Sequence, residues 1–386
     1  MKTLSLKMPV PWEVEALHAA FKAEGQPLFL VGGAVRDFAQ SVFRGTDYKF
    51  KDHDLATPAH PDLVEEILRK AVGRRNDSVV RAVGKSFGVI LVNIDGTDFE
   101  IATFRKDSET SDGRRPDSVT FSSIEDDAAR RDLTINALYY DMDNEVVLDF
   151  HDGLNDLRSN NVRFVGDAKA RLAEDKLRAL RFVRFYGRVN PGMCHHMKQD
   201  AVEAITACTL RPEISEERIR DEFLKGLTSV LNKQAFLYNL SDLGLMAQIL
   251  PGLDLFLLLK PELKGYKDIL AQMLCDNKPQ DVRDRLLELK YTSDEAQDVE
   301  FLLKLRTYTE PEQIVTFHRD RKRCKLSDEE IVGYAYAMTA NKHLIVKMLS
   351  FPYPTVRGEE LMDQFQGRAL GLAMTAKEVE NFRLSL

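Results

Sequence analysis

Apolar residues change their spacing partway along this chain of 386 residues, and the change limits the folds open to it. Up to about residue 150, short apolar runs alternate with longer periodic stretches. Phe29-Leu30-Val31 and the segments 88–93, 98–103 and 146–150 read as strands. From about residue 165 the strand signals stop and the spacing becomes helical, with Pro and Gly as punctuation. Leu177, Leu180 and Val183 recur like one apolar side of a helix, and 230–250 and 331–348 also read as helical. Pro251-Gly252 and Phe351-Pro352-Tyr353-Pro354 read as breaks between helical layers. The expected fold class is α+β: an α/β head with a mixed sheet, then an extended all-α remainder.

Composition narrows the class of molecule. A hydrophobic content of 44% and a charged content of 30% describe a soluble globular protein. No apolar run approaches the ~20 residues of a membrane span. The first residues, Met1-Lys2-Thr3-Leu4-Ser5, have no signal-peptide core and no transit-peptide character; the cytoplasm is the default expectation, with mitochondrial or nuclear use left open. Cys194, Cys208, Cys275 and Cys324 form no CxxC pair; reduced, buried thiols are expected rather than zinc ligands. A net charge of -7 excludes a uniformly basic surface, so RNA binding would rest on a local positive stripe.

Gly32-Gly33 ends the strand at 29–31, and glycine, lacking Cβ, lets backbone N–H groups approach a phosphate closely. Arg36 and Asp37 then fall in the first turn of an expected helix. Asp52 and Asp54 lie two residues apart, so on a strand their carboxylates share a face. Two hard oxygen ligands beside a phosphate-binding turn suit Mg²⁺ ions that also hold a triphosphate. That layout belongs to nucleotidyl transfer, in which a hydroxyl attacks an α-phosphate. Asp-x-Asp or Gly-Gly alone marks a solvated turn more often than a site, and three further segments change the balance.

In the first of these, Glu100 stands on a strand with Asp98 two residues before it. Two readings stand open: a further carboxylate on the metal face, or a solvent-facing acidic alternation. The second is Arg130-Arg131-Asp132, followed by Thr134 and Asn136. Adjacent arginines could clamp a triphosphate, with Asp132 orienting one guanidinium; the alternative is an ordinary helix N-terminus. In the third, Asp175, Arg178, Arg181 and Arg184 recur every three residues, which on a helix makes them surface neighbours. Arg181 and Arg184 could reach phosphate. Asp175 and Arg178 offer an acceptor beside a donor, which matches the pairing edges of cytosine and adenine and opposes a carbonyl of guanine or uracil to a carboxylate. A solvated face with an i,i+3 ion pair is the other reading.

In order, LVGGAVRD (30–37), DHDLAT (52–57), EIATFR (100–105), DGRRPDSVTF (112–121), RRDLTINAL (130–138) and EDKLRALRFVRF (174–185) resemble the class II tRNA nucleotidyltransferases, the CCA-adding enzymes of the polymerase β superfamily. Asp149, Gly153 and Arg163 look like that family's hinge motif, and Ile214-Ser215-Glu216-Glu217-Arg218-Ile219 like its helix start at the end of the neck. The match runs nearly continuously from 28 to about 225.

The resemblance implies a catalytic nucleotidyltransferase head at 1–150, a helical neck for base recognition at 151–225, and an all-α body and tail for tRNA binding at 226–386. Asp52 and Asp54 would bind two catalytic Mg²⁺ ions, with Glu100 as a further catalytic carboxylate. Gly32, Gly33 and Arg36 would contact the incoming nucleotide, and Arg131 its triphosphate. Asp175 and Arg178 would form a protein template for the base, supported by Arg181 and Arg184. Residues 106–118 would be a mobile loop used in the switch from C to A addition. The segment 38–51 is a few residues longer than the family leads one to expect and reads as a surface insertion.

The activity implied is template-independent addition of C, C and A to the tRNA 3′ end from CTP and ATP. The partners implied are the tRNA 3′ end and acceptor stem, with no DNA and no membrane. A poly(A) polymerase of the same superfamily, or a partial CC- or A-adding enzyme, is the alternative. Arg163, Lys169, Arg171 and Arg188 flank the template segment as a candidate phosphate-binding stripe, which Arg218, Arg220, Lys225 and Arg321-Lys322-Arg323 could continue.

Overall fold

Residues 1–51, 54–73, 79–107, 119–193 and 197–386 are described by a computed structural model. They divide into two units, 1–215 with 229–245, and 216–228 with 246–386.

The first unit carries the strands β1 (Lys2–Ser5), β2 (Phe29–Val31), β3 (Asp54–Thr57), β4 (Val79–Gly84), β5 (Val89–Ile94), β6 (Thr97–Thr103), β7 (Arg105–Asp107), β8 (Val119–Phe121), β9 (Leu138–Asp141) and β10 (Val146–Asp149). Eight of them form one sheet in the order β1-β10-β9-β2-β3-β6-β5-β4, while β7 and β8 make a separate ribbon. Among the described strands β3 and β6 pair parallel and the rest antiparallel, so the sheet is mixed, as expected. A hairpin cannot join parallel neighbours; here the chain crosses over through the helix Pro61–Val72 and the strands β4 and β5.

Period-two alternation decides which face of the sheet is covered. Ile90, Val92 and Ile94 of β5 are buried, as are Phe99, Ile101 and Thr103 of β6, while Asp98 and Glu100, on either side of Phe99, are exposed. The helices of this unit up to residue 189 are α1 (Trp12–Ala23), α2 (Gly33–Arg44), α3 (Pro61–Val72), α4 (Ile124–Ala129), α5 (Gly153–Arg158), α6 (Ala168–Glu174) and α7 (Arg178–Val189). Val14, Leu17 and Phe21 of α1 and Val64, Ile67 and Leu68 of α3 are buried. Tyr139 on β9 is fully buried, its ring edge-on to Phe104 at 6.1 Å and Phe150 at 6.0 Å.

Three sequence expectations change in detail. The helix expected from residue 174 onward is interrupted. α6 ends at Glu174, Asp175 is extended (φ -152, ψ 107), and α7 starts at Arg178. The Asp175 carboxylate accepts a hydrogen bond from the Leu177 N–H at 3.0 Å, a local turn that competes with helix continuation. Segment 38–51 is helical to Arg44 and then closes on Gly45 (φ 62). Beyond it Tyr48 packs edge-on against Phe38 at 5.3 Å, so this stretch is tied to α2. Finally, neither 230–250 nor 331–348 is one helix: the first holds Lys233–Asp242 and Met246–Ile249, the second parts of Asp328–Met338 and Lys342–Ser350.

The second unit is helical among its described residues, with Glu216–Ser229, Tyr266–Met273, Pro279–Glu288, Ser293–Lys304, Ile314–Arg321 and Gly367–Ser385 as its further main helices. Helices end at Ile249 and Ser350, where the two expected Pro-containing breaks follow. Among the described residues no helix is long and apolar enough to cross a membrane. Cys208 and Cys324 are buried, Cys275 is half-buried, and all three are free thiols; Cys194 lies outside the described residues.

Candidate active site

The antiparallel register of β2 on β3 pairs Phe29 with Ala56 and Leu30 with Leu55. The end of β2 therefore meets the start of β3, and the Gly32-Gly33 turn stands at the same sheet edge as Asp54. Gly32 has φ +67 and ψ -121, a backbone that glycine tolerates and side chains resist. Its N–H donates to the Leu138 carbonyl at 3.1 Å, and its carbonyl accepts from the Arg36 N–H at 3.0 Å. Gly33 opens α2, whose first N–H groups have no intrahelical partner, the arrangement that receives anions.

At this edge the parallel register places Asp54 directly opposite Glu100. Both are exposed, whereas the next pair, Leu55 and Ile101, is buried on the opposite face. Glu100 thus shares a face with Asp54, which is what the metal-face reading of that residue requires. Asp52 lies outside the described residues, as do 108–118 of the expected mobile loop. Among the described residues no group of three His, Cys, Asp or Glu side chains is gathered to hold a metal ion.

Next to the turn, Arg131 is held from below. Its Nε donates to the Tyr139 hydroxyl at 3.0 Å and its Nη2 to Asp127 at 3.3 Å, with the guanidinium 5.1 Å from the Tyr139 ring centre. A Cβ placed on Gly32 would lie 3.4 Å from Arg131 Nη1. Asp127, fully buried on α4, also accepts from Arg130 Nε at 2.9 Å, the Tyr139 hydroxyl at 2.5 Å and the Arg105 N–H at 3.3 Å. Burial pushes the Asp127 carboxyl up, but Arg130, Arg131 and the tyrosine hydroxyl outweigh it and hold it below its usual range. Asp127, not Asp132, is therefore the carboxylate that orients the adjacent arginines.

Asp132 serves a different arginine. Its Oδ2 accepts from Arg181 Nε at 2.7 Å, and its Oδ1 from Asn136 Nδ2 at 3.1 Å. Burial raises this carboxyl, yet Arg181 and the Asn136 bond draw it down to about 2. Asn136 in turn accepts from Arg36 Nη1 at 2.7 Å. Arg36 is 3% exposed and also places Nε 2.8 Å from Asp37. It stands behind the glycine turn and links it to Asn136, Asp132 and Arg181.

The Asp175–Arg178 pair is set by the turn between α6 and α7 and not by helical pitch. Arg178 Nη1 donates to the Arg171 carbonyl at 3.1 Å and bonds Glu174, and Nη2 reaches the Arg130 carbonyl at 3.4 Å. Three of the four residues in the candidate RNA stripe have intramolecular partners: Arg163 on Asp156 at 2.8 Å, Arg171 on Glu174 at 2.5 Å and Arg188 on Asp37 at 3.1 Å. Thr134, which follows the arginine pair, donates to Asp156 at 2.5 Å. Sequence reasoning gave no role to Asp127, Asp37 or Phe185. Asp127 left a signal, since it precedes Arg130 and Arg131 by three and four residues on one helical turn.

Residues 28–163 match the family model described as the Poly A polymerase head domain, and 196–257 the one described as the probable RNA and SrmB-binding site of polymerase A. The CCA-adding enzyme of Lactobacillus johnsonii is 36% identical over 230 residues, 59% of this chain and 52% of that protein. That of Bacillus licheniformis is 37% identical over 237 residues, 60% of this chain and 54% of that protein. The chain thus spans about half the length of the curated relatives it matches. The crystal structure of the Bacillus stearothermophilus CCA-adding enzyme in complex with CTP superposes with a TM-score of 0.71 at 25% identity, covering 96% of this chain and 92% of that one. The Thermotoga maritima CCA-adding enzyme complexed with tRNA shares the fold, with a TM-score of 0.63 at 15% identity over 97% and 92% of the two chains. In its head domain and in its fold the chain is thus similar to the CCA-adding enzymes.

Proposed function

We propose that this protein adds C, C and A to the 3′ end of tRNA, using CTP and ATP and releasing pyrophosphate. The observation that carries the reading is the register of Asp54 on Glu100 at the sheet edge shared with the Gly32-Gly33 turn. Two carboxylates on one face, with Asp52 two residues before the first, are a hard-oxygen donor set that fits Mg²⁺. Asp52, Asp54 and Glu100 would hold two such ions, which when bound lower the pKa of the attacking 3′-hydroxyl and offset charge on the pyrophosphate.

The remaining work belongs to the chain's own groups. Gly32 and Gly33 bring backbone N–H groups to the phosphates, with Arg36 bracing the turn. Arg131, aimed by Asp127 and Tyr139, neutralises the triphosphate. Asp175 and Arg178 read the pairing edge of the base, and Arg181 and Arg184 support the nucleotide. Positioning and charge neutralisation supply most of the catalysis in such a transfer. On this reading 1–150 is the catalytic head, 151–225 reads the base and 226–386 holds the tRNA 3′ end and acceptor stem. Neither DNA nor a membrane takes part, and the reaction is set in the cytoplasm.

Primer extension tests the proposal. A tRNA transcript lacking its 3′ terminus is incubated with Mg²⁺ and each NTP singly, then with CTP plus ATP. Addition of two C and one A, stopping there, is the expected result. A long A tail on many RNAs would make this a poly(A) polymerase, the alternative that the head-domain match equally allows. Addition that stops after CC, or of A alone on a CC end, would make it a partial enzyme.

A further inference from the structure

One phenylalanine lies under four arginines. The guanidinium carbons of Arg36, Arg181, Arg184 and Arg188 lie 4.8, 5.5, 4.2 and 5.8 Å from the centre of the Phe185 ring. Phe185 is 5% exposed, and Arg36 and Arg184 are buried beside it. Like charges gathered this closely repel, the more so away from water. Two carboxylates oppose that repulsion. Asp37 takes Arg36 and Arg188, and Asp132 takes Arg181. The electron-rich face of an aromatic ring attracts a cation within about 6 Å, and its attraction grows as water is removed. An aliphatic side chain of similar size would fill the space without that attraction.

We propose that Phe185 is a positioning residue, whose ring, braced from behind by Arg36, aligns Arg181, Arg184 and Arg188 into one cradle for the triphosphate of the incoming nucleotide. The inference rests on the nucleotidyl transfer reading for the identity of the anion. It adds Arg188 to the nucleotide's partners and gives the arginine row a support from within its own helix.

The test compares Phe185→Leu, Phe185→Tyr and Arg188→Gln in the full chain. Steady-state KM and kcat for CTP and ATP are measured, with binding of inorganic tripolyphosphate by calorimetry. Phe185→Leu is expected to raise both KM values and weaken tripolyphosphate about tenfold, with kcat changed far less, because triphosphate contacts act in ground and transition states alike. Phe185→Tyr, which keeps the ring, is expected to restore both. Tripolyphosphate binding by Phe185→Leu equal to the parent's would overturn the proposal, as would a loss confined to kcat that Phe185→Tyr leaves unrepaired. Should Phe185→Leu fail to fold, Arg188→Gln decides, since its side chain is 28% exposed and its loss leaves the core intact. Weaker tripolyphosphate binding supports the cradle, and unchanged binding overturns it. A parent protein that binds tripolyphosphate through these residues yet incorporates no nucleotide would uphold the cradle and remove the CCA-adding reading.

Discussion

Asp54 on β3 faces Glu100 on β6 across a parallel register, at the point where β2 delivers the Gly32-Gly33 turn. A one-residue slip of either strand would send one carboxylate to the buried face. The pairing Leu55–Ile101 beneath it therefore fixes the acidic pair as firmly as it fixes the core.

Glu100→Gln and Asp54→Asn, both at exposed positions, are expected to leave the fold intact and to lower nucleotide incorporation on the order of 10²-fold or more. Single-turnover incorporation at saturating Mg²⁺, beside circular dichroism of each variant, checks this. Full activity in Glu100→Gln would return that residue to a solvent-facing alternation.

Asp127→Asn leaves Arg130 and Arg131 beside a buried neutral amide. Removing one partner of a buried ion pair costs about 3 kcal/mol, so the unfolding free energy from urea titration is expected to fall by that amount, with the midpoint moving to lower urea. Asp126→Asn, next along the helix and partly exposed, serves as the control.

Asp132 is lowered from 3.8 to about 2, so the folded protein binds fewer protons than the unfolded chain between those values. Its contribution, about 2 kcal/mol, is complete above pH 3.8 and is lost as pH falls toward 2. Urea titrations at pH 5 and pH 2.5 should show a smaller acid loss in Asp132→Asn than in the parent. Arg181→Met should shift the parent's acid transition upward.

Asp175→Asn replaces an acceptor with a group that can also donate, so a carbonyl at that place on the base is no longer opposed. Incorporation of UTP and GTP relative to CTP and ATP is expected to rise by about tenfold or more. Unaltered selectivity would leave Asp175 with the turn it makes to the Leu177 N–H as its role.

Local chemistry was legible in the sequence where one short segment suffices. The glycine turn, the period-two acids of β6 and the change to helical spacing all follow from neighbours within a few residues. What was not legible depends on segments far apart. Asp37 meets Arg188 across 151 residues, and Asp132 meets Arg181 across 49, so no spacing rule connects them. Asp175 misled for a different reason. Its three-residue step to Arg178 fits a helix, but an aspartate whose carboxylate can accept a nearby backbone N–H often starts a helix instead of continuing one. Phe185 gave no signal at all, since its apolar position suits an ordinary core residue.

Arg36 has a mechanical consequence. Its guanidinium is closed in by Asp37, Asn136 and the Phe185 ring, so it acts as a rivet between the glycine turn and α7. Removing one of these partners would leave a buried charge poorly compensated, which is costly. One buried side chain thus couples the turn that ends β2 to the helix that carries the arginine row, so a change at either is felt at the other.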